Sequence, residues 1–140
     1  MHAIRIRQTI LEEMFEHVRR EPLVECCGML AGIKNVIGRS YAAENAASDP
    51  TKNYEIAPKE LFRLMREIRT AKLELLGIYH SHPNGKNEPS PRDIELAYYP
   101  DTAYFILSPL LPSSAGVLSR PVRAFSIRDG LVGELEVTII

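Results

Sequence analysis

Residues 73–93 read Leu-Glu-Leu-Leu-Gly-Ile-Tyr-His-Ser-His-Pro-Asn-Gly-Lys-Asn-Glu-Pro-Ser-Pro-Arg-Asp. The first ten, 73–82, are mostly apolar on both faces, the pattern of a central strand covered on each side. Residues 83–89 carry Pro, Asn and Gly and read as a loop, with Asn84-Gly85-Lys86 as a turn within it. Ser90-Pro91 is an N-cap followed by proline at the first helical position, so a short helix begins there. Residues 103–108 follow as another strand. A buried strand that passes through a loop and helix to a further strand is the unit from which mixed α/β sheets are built.

The flanking sequence extends that pattern. Residues 3–7 alternate as a short strand. Thr9 stands three residues before Glu12, a capping-box signature, and Ile10, Leu11, Met14, Phe15 and Val18 form a helical stripe that should end near Arg19–Pro22. Residues 25–33 read as a buried strand of small and apolar residues, turned by Lys34-Asn35 into a second strand, 36–44. A loop is expected at 45–53, and a helix opens at Pro58 with Leu61, Leu64, Met65 and Ile68 at helical spacing. Residues 109–120 read as a loop. Strands at 122–128 and 131–139 flank Asp129-Gly130, the strongest hairpin signal in the chain. The expectation is one α/β or α+β domain over residues 1–140, with a mixed sheet and about three helices.

Composition narrows the function classes. The 140 residues suit about one domain. Hydrophobic residues are 45% and charged residues 25%, as in ordinary globular proteins, which excludes a disordered tail or a fibrous repeat. The sequence holds no run of about 18 apolar residues that would span a membrane, and the opening residues do not read as a secretory signal. With 17 basic and 18 acidic residues the net charge is -1, so neither nucleic acid nor an anionic membrane is an expected partner. Cys26 and Cys27 are adjacent, a spacing that disfavours a disulfide, and no C-x-x-C seeds a cysteine metal site. A reducing, cytoplasmic setting is expected. Cys27 reads as a small buried hydrophobe. His2 and His17 read as solvated surface residues.

The chemistry concentrates at the end of the 73–82 strand. His80 and His82 are two apart, so both rings leave one face about 6.6 Å apart at the backbone. Ser90 and Asp93 are three apart at a helix start and share a face. Seven loop residues separate His82 from Ser90, enough to fold the helix start back over the strand end. Two imidazoles and a carboxylate are a three-ligand zinc set that leaves a position open for water, the mark of a catalytic site. Bound zinc lowers the pKa of its water towards about 7, making it a nucleophile, and polarises a carbonyl. A general base is also required. Glu25, set among Val24, Cys26, Cys27 and Gly28, is the best candidate, because a carboxylate in apolar company is costly without a partner. Ser90 can cap the helix and also donate to a developing oxyanion.

His80-Ser81-His82, seven residues, Ser90, two residues, Asp93, with the upstream segment Pro-Leu-Val-Glu-Cys-Cys-Gly-Met-Leu-Ala-Gly, closely resembles the JAMM (MPN-plus domain) zinc metallopeptidases. Tyr54-Glu-Ile-Ala-Pro, Gly77-Ile-Tyr-His-Ser-His-Pro and Arg123-Ala-Phe-Ser-Ile resemble the short prokaryotic branch, and the likeness runs over residues 3 to 139. The resemblance implies an MPN (cytidine deaminase-like) fold with a curved mixed sheet. It implies one zinc per chain on His80, His82 and Asp93, Glu25 as general acid/base and Ser90 as stabiliser of the tetrahedral intermediate. It also implies hydrolysis of the amide or isopeptide bond after the C-terminal glycine of a ubiquitin-like or sulfur-carrier protein. A second zinc is not expected, since His2 and His17 are the remaining histidines.

Two other readings compete. RadC-like proteins associated with DNA repair share H-x-H-P-x-G and P-S-x-x-D at this spacing, but the Glu-Cys-Cys-Gly segment and the charge of -1 argue against that class. A non-catalytic module that binds ubiquitin-like tails would not need the full ligand set. A zinc nucleoside deaminase requires H-x-E and P-C-x-x-C, which this sequence does not contain.

Overall fold

The structure is a computed structural model that describes residues 2–83, 85–108 and 121–140. Its elements run β1 (Ala3–Ile6), α1 (Gln8–Arg20), β2 (Cys27–Ile33), β3 (Val36–Ala43), α2 (Pro58–Thr70), β4 (Glu74–Ser81), α3 (Pro91–Glu95), β5 (Ala103–Leu107), β6 (Val122–Arg128) and β7 (Leu131–Ile139). The expected mixed sheet and three helices are present. The loop expected at 109–120 lies outside the described residues, as does Asn84 of the expected turn. No helix among the described residues is long and apolar enough to cross a membrane.

The sheet closes on itself, in the order β1-β3-β2-β4-β5-β6-β7. β1 completes the barrel by pairing in parallel with both β3 and β7. Closure leaves no free edge. Two tight turns set the hairpin registers. Lys34 and Asn35 have φ of 52° and 64°, and Asp129 and Gly130 have φ of 52° and 77°, the paired positive values that two-residue hairpins demand.

Alternation along the strands sorts side chains to two faces. Cys26, Leu30, Leu76, Tyr79 and Phe105 join the α1 stripe of Ile10, Leu11, Met14 and Val18. Cys27, Met29 and Ala31 pack instead beneath Leu64 and Ile68 of α2. Ile78, Tyr104, Ile106, Phe125 and Ile127 form a third cluster, against Ile94 and Ala97. Gly28 is required by the close approach of β4, since a Cβ there would lie 2.4 Å from the Tyr79 ring.

Two expectations fail here. α1 starts at Gln8 with Arg7 as N-cap, and no side chain caps it. The Arg7 and Gln8 N–H groups donate instead to the Ile37 and Ile140 carbonyls, at 3.0 and 2.9 Å. Backbone from neighbouring strands thus takes the role assigned to Thr9 and Glu12. His17 is buried, not solvated: its Nδ1 lies 2.7 Å from the Tyr79 hydroxyl and its Nε2 lies 2.6 Å from a Glu21 carboxylate oxygen.

Candidate active site

The site forms where β4 ends and β2 begins. Antiparallel register pairs Cys27 with His80. The pairing runs on past the strand ends: Ser81 N–H donates to the Cys26 carbonyl at 3.0 Å, and Cys26 N–H donates to the Ser81 hydroxyl at 2.9 Å. This brings Glu25, two residues before β2, to the same end of the sheet as His80 and His82. Glu25 is fixed at its backbone as well, with its N–H donating to the Pro50 carbonyl and its carbonyl accepting from Asn45 Nδ2, both at 2.7 Å. β4 also pairs in parallel with β5. The crossover between parallel strands carries α3 over the C-terminal end of β4, where α/β sheets place their ligands.

His80 and His82 leave one face of β4, as their spacing demands. His82 lies just past the strand, yet its N–H donates to the Leu107 carbonyl at 2.9 Å, so it keeps the extended direction. The two Nε2 atoms are 3.0 Å apart, and Asp93 Oδ2 lies 3.2 Å from His80 Nε2 and 3.1 Å from His82 Nε2. Ser90 caps α3 in a full capping box. Its hydroxyl accepts from Asp93 N–H at 3.0 Å, and its own N–H donates to Asp93 Oδ2 at 2.9 Å. The box turns the Asp93 carboxylate back toward the histidines.

This donor set fits a metal ion. His82 Nδ1 lies 2.7 Å from the Lys86 carbonyl oxygen, which can only accept, so Nδ1 carries the proton. In the neutral ring Nε2 then presents a lone pair to another imidazole nitrogen and a carboxylate oxygen. Three electron-rich atoms about 3 Å apart repel unless a proton or a cation lies between them. Their separations approach the roughly 3.3 Å between ligands of a four-coordinate ion with bonds of about 2.0–2.1 Å. Ligand atoms of Glu25, His80 and His82 also lie within 4.8 Å of one another.

Electrostatics divides the roles. Burial pushes the Glu25 carboxyl up to about 7, with His82 pulling it down and the Asp93 carboxylate adding to the rise. Glu25 Oε1 is buried without a hydrogen-bond partner among the described residues. A carboxyl poised there can take and return a proton near neutral pH. Burial works against the charged form of Asp93, but the facing His80 and His82 rings and the Ser90 N–H hold its pKa well below the usual range, so it stays anionic. Burial holds His80 neutral, as a metal ligand must be.

All five residues read from the sequence thus meet in one place. The structure adds Tyr54, whose ring stacks on His80 with centroids 4.4 Å apart and planes 21° apart. It adds the Lys86 carbonyl too. Neither has a local signal, since each acts across a loop. A cavity of about 270 Å³, lined by Tyr54, Ile78, Leu96, Tyr99 and Tyr104, has Asp93 in its wall. Cys26, just before β2, and Cys27, its first residue, are buried free thiols in different core clusters, which agrees with the reading of Cys27 as a packing residue.

A hydrolase site with donors for one metal ion, set at a strand end in an α/β barrel, is the class that fold and geometry define. The model of prokaryotic homologues of the JAB domain matches residues 7–124, and the chain belongs to that JAMM/MPN family. It is 34% identical over 105 residues to a desampylase of Haloferax volcanii, covering 74% of this chain and 76% of that protein. It is 30% identical over 142 residues to a CysO-cysteine peptidase of Mycobacterium bovis, covering 100% and 93%. The structure of AF2198, a JAB1/MPN domain protein from Archaeoglobus fulgidus, superposes with a TM-score of 0.61 at 18% identity, over 98% of each chain, which places the fold.

Proposed function

We propose that this enzyme is a zinc peptidase that hydrolyses the amide or isopeptide bond after the C-terminal glycine of a ubiquitin-like or sulfur-carrier protein. The observation that carries the reading is the convergence of His80 Nε2, His82 Nε2 and Asp93 Oδ2 within 3.0–3.2 Å of one another, beside the buried Glu25 carboxyl. His80, His82 and Asp93 would hold the metal. When bound, zinc acidifies water and polarises a carbonyl oxygen.

The chain's own groups do the rest. Glu25 takes a proton from the attacking water and returns it to the leaving amine nitrogen, so that an amine rather than an amide anion departs. The Ser90 hydroxyl accepts from Asp93 N–H and keeps its own proton to donate to the oxyanion of the tetrahedral intermediate. The Asp93-walled cavity offers a place for a side chain of the substrate tail. The names of the two relatives, desampylase and CysO-cysteine peptidase, support this substrate class. Residues 1–140 act as one domain in this reading, and the free thiols of Cys26 and Cys27 suit a reducing cytoplasm.

Purified protein should bind about one zinc per chain. It should also cleave a ubiquitin-like carrier extended beyond its terminal glycine, read by mass spectrometry. Glu25→Gln should retain the zinc and lose about 10²–10⁴ in kcat. Undiminished cleavage by that variant would remove Glu25 from its role.

A further inference from the structure

Ser108 follows β5 and is wholly buried, at 0% exposure. Its N–H donates to the Pro121 carbonyl at 2.8 Å, which fixes its backbone to the segment that leads into β6. Its hydroxyl donates to the Gly85 carbonyl at 2.7 Å, across the loop that joins His82 to α3. Gly85 immediately precedes Lys86, whose carbonyl accepts His82 Nδ1–H at 2.7 Å. One residue before Ser108, the Leu107 carbonyl accepts His82 N–H at 2.9 Å. Two consecutive residues at the end of β5 therefore address His82 twice. Leu107 holds its backbone, and Ser108 reaches its ring through two successive peptides, its own bond to the Gly85 carbonyl and the bond of the Lys86 carbonyl to the ring.

The Ser108 bond anchors the loop where its own backbone contact is weak: the Gly85 N–H contact to the His82 carbonyl is long, at 3.5 Å. Asn87, buried further along the loop, is engaged as well. Glu88 is 60% exposed and reaches Arg123 only at 3.6 Å, a contact of the kind that contributes little. A ligand imidazole aims its metal-binding nitrogen only as well as its other nitrogen is held.

We propose that Ser108 is a positioning residue of the metal site. By holding the Gly85 carbonyl it sets the Lys86 carbonyl against His82 Nδ1, and so fixes the ring's tautomer and its aim. The inference rests on His82 being a zinc ligand, as the proposed function has it. It is tested with wild type, Ser108→Ala and Ser108→Cys, the last being close in size but a weak donor. Three quantities are measured: zinc affinity by chelator competition, the His82 Nδ1–H resonance of the zinc-loaded protein by ¹H–¹⁵N NMR, and the melting temperature without metal. Both variants should bind zinc about tenfold more weakly. Their His82 Nδ1–H should exchange faster with water, while the His80 ring resonances stay in place. Unchanged affinity in either folded variant overturns the proposal, and so does weakened affinity with an unaltered His82 resonance. If Ser108→Ala does not fold, Ser108→Cys decides. Wild-type protein that binds no zinc overturns both this inference and the functional reading beneath it.

Discussion

Glu25, two residues before β2, and His80, on β4, each end in a buried atom without a hydrogen-bond partner among the described residues, Glu25 Oε1 and His80 Nδ1. His82, Ser90 and Asp93 come from a loop and a helix start, and their polar atoms are tied to backbone at 2.7–3.0 Å. Register and packing already aim the strand-borne pair: β2 is locked to β4, and Tyr54 lies flat on the His80 ring. Desolvation is then free to act on the chemistry, raising the Glu25 pKa and lowering that of His80. Beyond the His82 N–H bond to the Leu107 carbonyl, the loop-borne trio has no ladder among the described residues. Side-chain bonds to backbone replace it, while Asp93 is kept charged chiefly by the two facing histidine rings, with the Ser90 N–H adding to their effect.

The strongest way to break the loop side is Asp93→Ala, which removes a proposed metal ligand and half of the capping box together. Activity should fall by at least about 10³-fold, several kcal/mol of transition-state stabilisation, with zinc lost on dialysis. The strand side is probed by pH. In metal-free protein the Glu25 carboxyl is raised from 4.5 to about 7, so folding favours its protonated form. Stability should fall as pH rises from about 4.5 through 7 and level off above, and Glu25→Gln should remove that fall. At pH 8 the metal-free variant should be the more stable by about 2 kcal/mol in urea melts, with the water side of the site screening the rest of the shift. Tyr54→Ala frees the His80 ring and should weaken zinc binding about 10-fold to 100-fold in chelator competition, with the His82 tautomer unchanged. Arg123→Ala releases Glu88 from the exposed side of the loop. It should change zinc affinity less than about twofold, because the contact is solvent-screened.

What the sequence reveals follows the range of each interaction. His80, His82, Ser90 and Asp93 are legible because strand and helix periodicities act within a few residues, and the Asp129-Gly130 hairpin is legible for the same reason. Glu25 stands out only as a carboxylate in apolar company. Its place beside His80 and His82 depends on a pairing of β2 with β4 across more than fifty residues. Barrel closure, the Tyr54 stack and the start of α1 depend on backbone and rings from distant segments, which no local pattern encodes. His17 was legible and misread: Ile10, Met14 and His17 sit at i, i+4 and i+7 on the buried stripe, a position that places its ring inside against Tyr79.

The parallel pairing of β1 with β7 has a consequence for how the molecule is made. The third residue of the chain cannot complete its hydrogen bonds until Glu136 exists. During synthesis the nascent sheet therefore carries two open edges, the risk that completed barrels escape. The last strand, Leu131–Ile139, removes both at once. Loss of that strand would leave a protein with its proposed catalytic residues present and a lasting template for aggregation.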